Sequence, residues 1–153
     1  MTMLRLYDQT TFSDRDAGTY GDCCRACVAT LLQIDPHTLP HPIGPDGQWH
    51  MPFHKALRDI GWSIRSIDYD PQMAPDCTIR DQNWGGFQVP RLVMAAGPSW
   101  RGKWLHAVIW DRLADCMVHD PHPSRAGLVS IEAFDYLGPY PCPDSAIAEG
   151  KGA

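Results

Sequence analysis

The pattern of the chain predicts an α+β domain, with helices in the first part and an antiparallel β-sheet built from most of the rest. Three observations predict it. Cys24, Cys27, Val28 and Leu31 recur at helical spacing behind Asp22, a residue type suited to cap a helix start. Gly86 to Ala96, Lys103 to Trp110 and Asp115 to Asp120 read as strands joined by short polar links, which suits a meander. With 44% hydrophobic residues in 153, the chain can bury one core without covalent staples. One domain is expected over residues 1–140, followed by a flexible tail, 141–153, that turns from Pro-rich to small and polar.

Residues 1–21 lack periodicity and finish in the turn-like Gly18-Thr19-Tyr20-Gly21. The first helix is expected from Cys23 to Ile34, where Asp35-Pro36 stops it. Residues 36–52, rich in Pro, Gly and His, read as an ordered surface loop in which His37, His41, His50 and the neighbouring His54 are solvated. A second helix starts near Pro52, aligns Phe53, Leu57 and Ile60 on one face and closes at Gly61. Trp62 to Asp68 alternates like a strand, and residues 69–86 connect it to the meander. After the loop 121–127, Leu128 to Leu137 forms an element whose type the pattern leaves open.

Charge and hydropathy narrow the partners. The formal net charge is -5 and no Lys/Arg run occurs, so the basic stripe that nucleic acid requires is missing. No apolar stretch approaches the length of a membrane span, and Met1 to Asp16 has no apolar signal-peptide core. The expectation is a cytoplasmic protein with no membrane partner, whose six cysteines are free thiols.

One of those thiols is placed for chemistry. In Gly21-Asp22-Cys23-Cys24-Arg25-Ala26-Cys27 a cysteine enters the first turn of a helix, where free N–H groups and the helix dipole favour thiolate. At about 100° per residue, Cys24 and Cys27 fall in the apolar stripe and Cys23 lies off its centre, free to face a cleft. Most cysteines at such positions are simply packed. A base raises the odds for Cys23. His106 sits in the apolar strand Trp104-Leu105-His106-Ala107-Val108-Ile109-Trp110, where a polar ring needs a partner. If Arg112-Leu113-Ala114 is a three-residue hairpin loop, Asp111 pairs with Asp115 and His106 falls opposite Asp120. A carboxylate there orients the imidazole to take a thiol proton.

Asp22-Cys23-x-x-Ala26-Cys27, then His106-Ala107-Val108-Ile109, then Val118-His119-Asp120-Pro121 resemble the papain-like cysteine peptidase superfamily. The nearest branch is the peptidase domains that process double-glycine leader peptides of bacteriocins. The pattern also resembles small proteins common in phage and bacterial genomes that carry a similar cysteine helix and a His-Asp-Pro-His-Pro-Ser stretch. The resemblance covers residues 21–34 and 104–128. It implies a papain-like fold, with the nucleophile-bearing helix packed on an antiparallel sheet. It further implies a thiol hydrolase with a Cys23-His106-Asp120 triad, acting on a peptide or protein substrate without a cofactor. Two positions depart from the family. The oxyanion Gln usually found six residues before the nucleophile is Ala17 here, which leaves Gln9, Thr19 or the Cys23 N–H to replace it. Cys24 stands where the leader-processing branch usually has Gly.

Other assignments compete. Cys24-x-x-Cys27 with His119-x-x-His122 offers four zinc-type ligands, yet the cysteines face the core and His119 points away from Asp120, so no metal is expected. A redox pair at Cys24 and Cys27 lacks the buried strand that normally precedes such a helix. A catalytically silent binding module, possible zinc staple included, is the alternative outside enzymology, and an acyltransferase is the nearest variant within it. The loop Gly97 to Gly102 holds Trp100 and Arg101 at what is expected to be the cleft edge, where they would cover substrate and read a carbonyl or carboxylate. Oligomeric state is not legible in the sequence.

Overall fold

Cys23–Leu32 forms helix α1, ten residues long and two shorter than its apolar spacing suggests. Gln33 turns into the left-handed region (φ 56°) and returns its N–H to the helix, and Pro36 then opens a short 3-10 turn over Pro36–Thr38. Asp22 occupies the N-cap position but makes no side-chain cap, against expectation. The computed structural model describes residues 3–73 and 79–142, so Cys77 and the tail beyond 142 lie outside the described residues.

Helix α2 is Met51–Asp59, with Pro in its first turn. Phe53 and Leu57 are fully buried, but Ile60 falls outside the helix and is 52% exposed, so the expected third member of the apolar face is not one. Strand β1, Trp62–Asp68, has the predicted bounds. The expected strand from Gly86 to Ala96 divides in two. Arg80–Asp81 (β2) and Phe87–Gln88 (β3) make a separate two-stranded ladder, and the main strand β4 is Leu92–Pro98. Pro90 lies between them and has no N–H to give to a ladder. β5 is Leu105–Asp111, β6 is Cys116–His119 and β7 is Ala133–Pro139.

The protein is α+β: two α-helices and a five-stranded antiparallel sheet in the order β1-β7-β4-β5-β6. β4, β5 and β6 form the expected meander. The stretch of undecided type becomes β7, which inserts between β1 and β4. Alternation sorts the core into two layers. Met94, Ala107 and Ile109 face α1 and α2 and pack with Cys27, Val28, Phe53 and Leu57. Val93, Ala95 and Val108 pack on the other side with Val89, Phe134 and Tyr136. Gly97, paired with His106, is required by a crossing segment: a Cβ there would lie 1.9 Å from the Ser130 carbonyl oxygen.

Truncating Phe53, the largest fully buried side chain of α2, to Ala should lower unfolding free energy by about 3–5 kcal/mol, and Ile60→Ala should change it by about 0.5 kcal/mol or less. Urea denaturation of the two variants checks both values.

Candidate active site

β5 begins with Leu105 and carries His106 at its second position, buried to 3% exposure. Its Nε2 lies 2.7 Å from Oδ1 of Asp120, which is itself 1% exposed. The contact forms as expected, but by a different register. The β5–β6 turn holds four residues, Arg112 to Asp115, and Asp111 pairs with Cys116. Continued unbroken, that register would set His106 against Pro121 and turn Asp120 to the opposite face. A bulge intervenes: Trp110 pairs with Met117 but Ile109 pairs with His119, so Val118 is the extra residue. The inserted residue reverses the parity of the positions beyond it, and Asp120 leaves the strand on the side of His106.

Asp120 is held by three donors. Besides the imidazole, the His122 N–H donates to Oδ1 and the Gly127 N–H to Oδ2, each at 2.8 Å. Burial alone would raise the Asp120 pKa, but the His106 contact and the two N–H groups outweigh it and bring it down to about 2. Burial likewise opposes charge on His106, and Asp120 followed by the Cys23 side chain overcomes it, so that its pKa rises to about 9. With Nε2 engaged by the carboxylate, Nδ1 is the ring nitrogen left for the thiol. The imidazolium is thereby stabilised between two acidic groups.

Packing of α1 on β5 brings Cys23 there. The Cys27 thiol donates to the Ala107 carbonyl at 3.6 Å, and Cys23, one turn earlier on the same side, reaches the neighbouring His106. Cys24 is half-buried rather than sealed in the core and shares the cavity with Cys23. Burial pushes both the Cys24 and Cys27 thiols well above the usual range, which favours the protonated form and leaves them poor nucleophiles or metal ligands. Because the Asp22 carboxylate does not cap α1, the first-turn N–H groups, that of Cys23 included, are not claimed by it.

That carboxylate instead fastens an N-terminal strap. Asp22 accepts from the Thr10 and Thr11 N–H groups at 2.8 and 2.9 Å and from the Arg25 guanidinium at 2.6 Å. On its other side the strap is held where Arg125 grips Asp8 and where the Gln9 N–H donates to the Pro121 carbonyl at 3.0 Å. Gln9 is 6% exposed, lines the cavity with Cys23, and anchors one amide N–H on the Thr11 carbonyl at 2.9 Å. The amide makes no other hydrogen bond among the described residues, and its Oε1 is buried without a partner. Thr19 is excluded from the oxyanion role: its hydroxyl donates to the Phe12 carbonyl and it does not line the cavity. Ala17 sits in an exposed turn.

The cavity measures about 490 Å³. Arg101 lines it, with Nε and Nη2 buried and unpartnered among the described residues. Trp100 does not line it. That side chain is 64% exposed and its Nε1 donates to the Leu128 carbonyl, while Trp104, given no such role by the sequence, lines the cavity where Trp100 was expected. The zinc-type residues do not converge: His119 Nε2 meets the Tyr7 carbonyl, His122 Nδ1 accepts from the Ser124 N–H, and no group of three or more metal-ligating side chains occurs among the described residues. Two histidines expected to be solvated, His41 of the loop and His54 of α2, are more constrained than that. His41 Nδ1 accepts from the Ile43 N–H, and His54 packs between the rings of Trp49 and Phe53. Among the described residues no helix is long and apolar enough to cross a membrane.

Compared with models of protein families, with curated proteins and with solved structures, the chain matches none.

The His106–Asp120 contact contributes to the pKa shifts of both groups. For His106, raised from 6.5 to about 9, the stabilisation is complete below pH 6.5 and is lost as pH rises through about 9. For Asp120, lowered from 3.8 to about 2, it is present above pH 3.8 and is lost as pH falls through about 2. Asp120→Asn should therefore lower the His106 pKa, because burial is then opposed by Cys23 alone, and should remove the loss of stability near pH 9. Imidazole titration by NMR and thermal melts across pH measure the two effects.

Proposed function

We propose that the protein is a papain-like thiol hydrolase that cleaves peptide or isopeptide bonds through an acyl-enzyme. The observation that carries this reading is the imidazole of His106 set between the Asp120 carboxylate and the Cys23 thiol at a helix start. Proton transfer from Cys23 to His106 Nδ1 gives a thiolate and an imidazolium. The sulfur attacks the carbonyl carbon, a C–S bond forms, and the oxyanion is met by the Gln9 amide and the Cys23 N–H. Collapse breaks the C–N bond as the imidazolium protonates the departing amine. Water, deprotonated by His106, then cleaves the thioester and restores the thiol. An amine in place of that water makes the same site an acyltransferase.

Arrangement of the helix start, strand and strand end supports the papain-like assignment in the order the superfamily uses, Cys then His then Asp. The departure at Ala17 is met by Gln9, delivered from another part of the chain to the same cavity.

A thiol-directed acyl-electrophile probe should modify Cys23 ahead of the other five cysteines, as read by peptide mapping. His106→Ala should slow that labelling by about 10²–10⁴-fold. Adducts on Cys77, Cys116 or Cys142 with Cys23 unmodified would leave a catalytically silent binding module as the reading. Gln9→Ala should lower kcat by about 10²–10³-fold with little change in KM, since an oxyanion donor acts only as charge develops.

A further inference from the structure

The chemistry assigned to Cys23 leaves three charged side chains of its cavity unused: Arg101, the exposed Glu132, and Asp135. Asp135, on β7, stands between Ser66 of β1 and Met94 of β4 in the sheet register, and it lines the cavity that holds Cys23, Cys24 and His106. Among the described residues it belongs to no ion pair. Its side-chain hydrogen-bond partner is Ser66. Burial raises its pKa, the Ser66 contact only partly opposing this, and its charge reaches the Cys24 and Cys27 thiols.

A carboxyl placed at a largely apolar cavity without a cation destabilises the folded state. Groups retained against stability concentrate at sites where a ligand completes them. The only guanidinium lining this cavity, Arg101, does not compensate: it lies close enough to His122 to lower that ring's pKa and makes no ion pair with Asp135. The cavity is also lined by Tyr20, Ile43 and Trp49, surfaces suited to the alkyl stem of a long side chain and to its charged head.

We infer that Asp135 is a specificity-determining residue, receiving the ammonium or guanidinium group of a Lys or Arg side chain on the acyl portion of the substrate. The substrate class is thus a peptide or protein with a basic residue close to the bond cleaved. This assignment rests on Cys23 as the nucleophile.

Peptidyl acyloxymethyl ketone probes that differ only in carrying lysine, norleucine or glutamate, with the variable residue placed in turn at each of the three positions nearest the reactive group, test it. At one position the lysine probe should label Cys23 about 10–100-fold faster than the norleucine probe, the range expected for one charged hydrogen bond. Asp135→Asn, which preserves shape and a partner for Ser66, should abolish that ratio, leave norleucine labelling unchanged and keep the melting temperature at or above that of the parent protein. Equal rates for lysine and norleucine at all three positions overturn the proposal while leaving Cys23 as nucleophile. The corresponding peptide amides, titrated into Cys23→Ala, separate the two readings: lysine-selective binding that Asp135→Asn removes sustains the cation site even if no probe reacts with Cys23, and unselective binding ends it.

Discussion

A carboxylate withdrawn from water must find donors or lose its charge, and the satisfaction of Asp120 is the constraint around which the site is built. Its three donors come from β5, from the residue two beyond it and from the end of the loop after β6. The imidazole is thus fixed in one orientation, that loop is folded back on itself, and the loop in turn presents the Pro121 carbonyl to Gln9. Removing the carboxylate would leave an oriented ring and two N–H groups without their acceptor. The position of the candidate base and that of the candidate oxyanion donor therefore share one origin.

The helix that bears Cys23 makes a complementary trade. Asp22, the best cap residue at its start, spends its oxygens on Thr10, Thr11 and Arg25. Local helix stability is given up for tertiary attachment of the strap. The result is a helix N-terminus without a capping contact from the adjacent carboxylate, next to the sulfur of Cys23.

Much of this was legible from spacing alone. α1, α2, β1 and the β4–β6 meander follow from periods near 3.6 and 2 and from Gly and Pro at their ends, and the same patterns marked Cys23 and His106. What escaped had a physical reason in each case. The bulge at Val118 depends on how β6 meets β5, which no local propensity encodes, so the right partner for His106 was reached through the wrong register. β7 is buried on both faces at Phe134, Tyr136 and Leu137, a pattern that does not alternate cleanly and so does not declare its type. Gln9 could be named as a donor but not placed, since the strap is fastened to Asp22, Pro121 and Arg125, residues more than ten positions away. Trp100 and Trp104 share one loop region, and which of them faces the cavity is decided by the Leu128 carbonyl that Trp100 binds.

The last of the described strands, β7, occupies an interior position of the sheet, between β1 and β4. Among the described residues β1 pairs with β7 alone, and β4 has β7 as its second neighbour, so β1 and the meander are joined in the sheet through residues 133–139. During synthesis on a ribosome these two portions emerge first and remain without their common seam until β7 clears the exit tunnel. Assembly is then dominated by contacts far apart along the chain, which slows folding and holds the completed sheet back until β7 has emerged. A nascent chain of this design carries Cys23 long before it carries the strand that joins the two portions of its sheet.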